Sequence, residues 1–164
     1  MTNIKLEKYG VNHYIKTVEW LNSKEIKNSF GIVKDIDLLG HTNWVEKSSN
    51  IIIKAVYVDE IYIGNILLHI DNNHESGFFQ IYFGEARSRG KGYAKKAIIL
   101  ALNEFFKEYK LNRIWLKVFS DNDLAIHLYN SIGFVKEGLE RESFKEKDKY
   151  RNQLVYSILR KEWE

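Results

Sequence analysis

A chain of 164 residues that is 45% hydrophobic, 14% aromatic and 29% charged has the length of one domain and too many large apolar side chains to stay unfolded. With no cysteine it can form neither a disulfide, a thiolate metal site nor a cysteinyl acyl-enzyme, so a transfer reaction would be direct. The net charge of +3 comes from basic residues interleaved with acids, which argues against nucleic acid as a partner; the start MTNIKLEKYG and the lack of any run of ~20 apolar residues argue against a secretory leader or a membrane span and point to the cytoplasm.

Val11, Tyr14, Ile15, Val18 and Leu21 fall at helical spacing and predict a first amphipathic helix. The run IIIKAVYV from Ile51 to Val58, then Asp59-Glu60, then IYIGNILLHI predicts a tight hairpin of two strands. Asp71-Asn72-Asn73 forms a loop before a third strand, Gly77 to Phe83, which continues the antiparallel meander. Beyond the segment Arg87 to Ala94, the residues Ala94, Ala97, Ile98, Ala101, Leu102, Phe105 and Tyr109 mark one buried face of a long helix. Arg113 to Phe119 is a strand. Ser120, Asp121 or Asn122 then caps a short helix ending near Ser131, with Gly133 as its stop, and NQLVYSILR contributes to one or two closing strands. The fold class is a mixed α/β (α+β) single domain covering 1–164, without internal repeats.

The chemistry concentrates in Arg87-Ser88-Arg89-Gly90-Lys91-Gly92-Tyr93-Ala94, between a strand and the long helix. Backbone N–H groups at a helix start attract an anion, Gly90 and Gly92 permit close approach, and Arg87, Arg89 and Lys91 add charge, so a pyrophosphate cradle is expected. It is not the dinucleotide GxGxxG, because Tyr93-Ala94-Lys95 follows Gly92, nor a P-loop, because no GxxxxGK followed by Ser or Thr occurs.

Arg87, Gly90 and Gly92 fill the cofactor signature of the GCN5-related N-acetyltransferase (GNAT) superfamily: Arg or Gln, two residues, Gly, one residue, then Gly or Ala. Asn122, Tyr129 and Gly133-Phe134, within SDNDLAIHLYNSIGF, resemble the same family's later block. WLNSKEIKNSF, HTNWVE and GLERESF look like the branch holding ribosomal-protein N-terminal, polyamine and amino-sugar acetyltransferases. The resemblance implies a mostly antiparallel central sheet flanked by helices, with acetyl-CoA as co-substrate and no metal. It implies that the amides from Arg89 through Gly90, Lys91, Gly92 and Tyr93 to Ala94 hold the pyrophosphate. The backbone of Ile81, Tyr82 and Phe83 would pair with the pantetheine arm, Asn122 would bond the arm from the other side, and Tyr129 would sit beside the thioester sulfur. One departure matters: many members of the branch carry a Glu in the strand before the cradle, and GFFQIYF has no acid.

An alkylammonium must lose a proton before it attacks a thioester, and the departing thiolate needs one, so a base and an acid are required. Tyr129 is the candidate acid; its alternative is a packing tyrosine whose hydroxyl bonds a backbone group. The base stays open among His69, Glu75, His41, neighbouring His74 and a water relay. His13, His41, His69, His74 and His127 are scattered, and His74-Glu75 does not begin an HExxH, so no metal site is legible. Trp44 is a candidate for the acceptor pocket; Trp20, Trp115 and Trp163 suit the core or an interface, and a homodimer is left open. The acceptor is expected to be a small-molecule amine, such as a nucleotide-linked amino sugar, in preference to a protein, since a positive chain suits a polycation poorly. The alternatives are a protein N-terminal or polyamine acetyltransferase and, from another class, a non-catalytic acyl-CoA sensor.

Overall fold

The computed structural model describes residues 1–30, 32 and 34–164. In chain order it holds β1 (Ile4–Lys8), α1 (Tyr14–Asn22), α2 (Lys24–Phe30), α3 (Leu38–Lys47), β2 (Ile51–Val58), β3 (Ile61–Asp71) and β4 (Ser76–Phe83). There follow α4 (Tyr93–Glu108), β5 (Arg113–Phe119), α5 (Asp123–Ile132), β6 (Val135–Glu146), β7 (Lys149–Leu159) and α6 (Arg160–Trp163). The strands form one sheet in the order β1-β2-β3-β4-β5-β7-β6, antiparallel everywhere except at β4 and β5. This is the mixed, mostly antiparallel sheet with flanking helices that was expected.

The β2–β3 hairpin closes through Asp59 and Glu60, both left-handed at φ 48° and 67°, the pattern of a two-residue turn whose twist matches its strands. α4 packs through Ala97, Ile98, Ala101, Leu102 and Phe105, all at 0% exposure. The two alanines let the helix approach the sheet closely, while each large side chain contributes about 1.5–3 kcal/mol of burial. β4 and β5 pair over only three positions, Ser76↔Arg113, Gly77↔Ile114 and Phe78↔Trp115, whereas β5 stays paired with β7 along its whole length. From Phe79 onward β4 therefore shows a free edge to the gap, and this split in the sheet positions the site.

The first helix forms as predicted but is rotated. Its buried side chains are Tyr14, Thr17 and Trp20, while Ile15 and, in the preceding 3-10 turn, Val11 point to solvent. The rotation is set by contacts no periodicity encodes: Thr17 Oγ1 accepts from Tyr9 Oη at 2.8 Å, and the Trp20 ring lies 4.6 Å from that of Tyr62. Gly84 is also needed, because a Cβ there would sit 1.9 Å from the Trp20 indole. β1, α2 and α3 were not foreseen.

Arg160 ties the end of β7 to the end of α4. Its guanidinium donates to the carbonyls of Phe106, in the last turn of α4, and of Tyr109 and Leu111 just beyond it, at 2.7, 2.9 and 2.7 Å. Arg160→Met should destabilise the fold by about 2 kcal/mol, a melting temperature lower by about 4–8 °C for a chain of this size, measured by calorimetry on the ligand-free protein.

Candidate active site

The gap between the splayed strands is a cleft lined by Phe79, Gln80 and Ile81 of β4, Val118 of β5, Asn122 at the N-cap of α5, and Tyr129 of α5. Glu75 O accepts from Asn112 N and Phe83 O accepts from Arg89, so the odd-numbered peptides of β4 face the gap and the even-numbered ones face β3. Ile81 thus presents an unpaired N–H and C=O to an extended ligand. Tyr82 does not: it belongs to the other side of the strand, and its hydroxyl accepts from Asn65 Nδ2 at 2.8 Å. Phe83 offers little more, since its carbonyl is taken by the Arg89 guanidinium at 2.7 and 3.2 Å.

The expected cradle follows the end of β4, and its Arg87, Ser88, Lys91 and Tyr93 line a hollow of their own beside Val58 and Ile61. Gly90 and Gly92 have φ of 72° and 78°, and a Cβ built at either would meet nothing within 4 Å, so the backbone is exposed on the side a ligand would approach. Gly92 is the N-cap of α4 and no side chain caps it, which leaves the first-turn amides from Tyr93 and Ala94 onward available to an anion. Arg87 and Lys91 make no ion pair among the described residues. Arg89 differs from its expected role: its guanidinium holds Phe83 O and pairs with Glu25, so it braces the loop and is not a free charge for phosphate. These features fit an extended thioester cofactor whose pyrophosphate rests on the loop and whose arm runs along β4.

Asn122 caps α5, its Oδ1 accepting from Ala125 N at 3.2 Å, so its Nδ2 is what remains for the arm. Tyr129 is 9% exposed, packs edge-on against Phe134 at 5.7 Å, and its hydroxyl has no hydrogen-bond partner among the described residues. The backbone bond expected of a packing tyrosine is missing. Burial pushes its phenol up to about 12, so it keeps its proton through the whole working pH range.

A second cavity, of about 490 Å³, opens on the other side of β4. Phe30 and Gln80 line both it and the cleft, so the two spaces meet there. Its wall includes Tyr9, Thr17, Asn65 and Tyr82, joined in one network: Tyr62 Oη donates to Asn65 Oδ1 at 2.7 Å, Asn65 Nδ2 donates to Thr17 Oγ1 at 3.1 Å, and Tyr9 Oη lies 2.7 Å from His41 Nε2. Desolvation raises Tyr9 and Tyr62 far above an ordinary phenol and lowers His41, so all three stay neutral. Trp44 lines this cavity as expected, and so do His41 and His69. Glu75 and His74 do not: Glu75 pairs with Lys110 Nζ at 2.8 Å and His74 Nδ1 with Asp71 at 3.0 Å, outside both spaces. The sequence reading missed Phe30, Asp35, Asp37 and Gly40, which α2, α3 and their connection bring to the cavity.

The model of the acetyltransferase (GNAT) family matches residues 15–134, from α1 to the residue after the α5 stop. The chain belongs to the GNAT family. It is an N-acetyltransferase, and acetyl-CoA is its co-substrate. Among GNAT relatives, the uncharacterized N-acetyltransferase p20 of Bacillus licheniformis is 29% identical over 154 residues, 93% of this chain and 82% of that one. The spermidine N(1)-acetyltransferase of Vibrio cholerae is 40% identical over 78 residues, 48% of this chain and 44% of that one, so the match spans less than half of that relative. In structure, the fold is shared with the spermidine N-acetyltransferase from Vibrio cholerae in complex with CoA and spermine, at a TM-score of 0.90, 24% identity and coverage of 98% and 97% of the two chains. Among the described residues, no cluster of His, Asp or Glu could hold a metal in this GNAT fold, and no helix is long and apolar enough to cross a membrane.

Proposed function

We propose that the protein acetylates a small polyamine such as spermidine, by direct attack of a primary amine on acetyl-CoA in a ternary complex. One observation carries the acceptor class: among the described residues, the charged side chains lining the 490 Å³ cavity are Asp35 and Asp37, with no lysine or arginine. Two carboxylates, an apolar wall and aromatic rings suit an alkyl chain carrying several ammonium groups: Asp35 pairs with Lys27, a partner an ammonium would replace, and Asp37 accepts from Gly40 N through Oδ1, leaving Oδ2 for the ligand. A nucleotide-linked amino sugar, the acceptor expected from the overall positive charge, would bring a diphosphate to a lining that, among the described residues, holds two carboxylates and no cation, with nearby Lys27 already paired to Asp35. Net charge is a property of the whole surface, whereas recognition follows the local field. The relatives named for spermidine and spermine support the same correction.

In this reading the amides from Gly90 to Ala94 hold the pyrophosphate, with charge from Arg87 and Lys91, while Ile81 and Asn122 hold the arm and Tyr129 protonates the leaving sulfur. In the same reading the chain is one catalytic domain over 1–164 that acts in the cytoplasm, a reading supported by the single sheet that takes in β1 through β7. We take it to assemble with copies of itself, as the dodecameric Vibrio cholerae spermidine N-acetyltransferase does.

Thiol release should be measured with spermidine, spermine, putrescine, a nucleotide-linked amino sugar and a peptide with a free N-terminus. Spermidine or spermine should give a kcat/KM at least tenfold above the others, and Asp35→Asn with Asp37→Asn should raise KM for the polyamine severalfold with kcat nearly unchanged, the mark of lost uniform binding. Preferential turnover of the sugar nucleotide or of the peptide would overturn the acceptor class. Binding of acetyl-CoA without turnover of any amine would favour the sensor.

A further inference from the structure

We infer that His69 is the general base of the acetyl transfer and that Gln80 positions it. This rests on the acetyltransferase activity but not on the polyamine reading, since any primary amine must be deprotonated.

The two spaces meet at β4. An amine entering from the large cavity and a thioester lying in the cleft would come together near the residues common to both, which among the described residues are Phe30 and Gln80. Phe30 has no proton to exchange, and an uncharged carboxamide is no base. Gln80 instead reaches sideways along the sheet, where its Oε1 lies 2.8 Å from His69 Nε2 on the adjacent strand β3. With the carboxamide oxygen accepting, the imidazole carries its proton on Nε2 and holds its lone pair on Nδ1. The Phe78 ring, 5.5 Å from that of His69, flanks the imidazole on the same strand face. The missing strand acid is thus replaced by a ring on the next strand, fixed by the residue at the junction.

The other titratable groups of the cavity are engaged elsewhere. Asp35 pairs with Lys27, Asp37 accepts from Gly40 N at 2.7 Å, Tyr82 accepts from Asn65, and Tyr9 with His41 forms its own pair. His41 is 4% exposed among the rings of Tyr9, Tyr14 and Trp44, and desolvation holds its pKa low. His69 is only half-buried.

The proton balance closes with these residues. His69 Nδ1 takes one proton from the ammonium, and the freed nitrogen lone pair forms the bond to the acetyl carbon as the carbon–sulfur bond breaks onto sulfur. Tyr129 gives its hydroxyl proton to the sulfur and regains one from the newly acylated nitrogen. His69 then releases its proton to solvent through the open cavity.

The test uses the 164-residue protein with whichever amine it turns over best, so failure of the polyamine assignment leaves it intact. His69→Asn, which can still donate to Gln80, should lower kcat/KM by about 10²-fold at neutral pH and remove the acid limb of the pH profile. Imidazole added to His69→Gly should restore part of the rate. Gln80→Glu places a full negative charge beside the ring, which favours the imidazolium; both the acid limb and, in protein free of acetyl-CoA, the NMR titration of the His69 ring should move to higher pH. A parental rate and acid limb in His69→Asn would overturn the assignment. So would a Gln80→Glu protein whose ring titration moves while the kinetic limb stays in place.

Discussion

Tyr129→Phe should lower kcat by about 10²-fold while acetyl-CoA affinity changes by no more than a few fold, because a phenol donating to a leaving sulfur acts chiefly as charge develops in the transition state. The substitution keeps the ring and its edge-on contact with Phe134, so the packing that holds α5 survives. It removes only a hydroxyl without a hydrogen-bond partner among the described residues, in a side chain that lines the cleft. Since burial holds the phenol at about 12, loss of its proton should contribute no alkaline limb to the parent below that pH. The comparison needs pre-steady-state thiol release together with acetyl-CoA titration of both proteins. An unchanged kcat would make Tyr129 a packing residue with water as the acid; a collapse of affinity in a folded protein would give the hydroxyl to binding.

Gly90→Glu should abolish the stabilisation that acetyl-CoA confers. At a ligand concentration 100 times Kd a native-state ligand stabilises by about 2.7 kcal/mol, which for this chain length raises the melting temperature by about 5–10 °C in the parent. Gly90 sits at φ 72° on the open face of the loop, where a glutamate would find room but would aim a carboxylate at the incoming phosphates. The left-handed backbone adds a strain of about 1–2 kcal/mol, so the ligand-free mutant should melt somewhat lower than the parent, and the informative quantity is the shift on adding ligand. Equal shifts in both proteins would remove this loop from the cofactor site.

How much of this could be read from the chain alone differs between the two halves of the site. The cofactor side depends on local chemistry: two glycines before a helix start, an asparagine three residues before the amide it caps, and a glycine at a helix stop. Each signal lies within a few residues of the structure it produces, and the structure keeps Gly90, Gly92, Asn122 and Gly133 in those places. Even here Arg89 was misread, because its partners Phe83 O and Glu25 become neighbours only when the loop folds back on the strand and α2 closes over it.

The acceptor side was scarcely legible. Its wall draws on α1, α2, α3, β2, β3 and β4, and no spacing along the chain reports that Asp35, His41, His69 and Gln80 share one cavity. The periodicity of α1 even pointed to the wrong face, since the hydrogen bonds of Thr17 with Tyr9 and Tyr62 and the fit of Trp20 over Gly84 outweighed the burial of Val11 and Ile15. The sequence by itself therefore determined the family, the cofactor loop and the helix that carries Tyr129, because those rest on short-range backbone chemistry. Which side chains share the large cavity, His69, Asp35 and Asp37 among them, was decided only by the tertiary structure, because splitting the sheet at β4 is what brings distant side chains to a common junction.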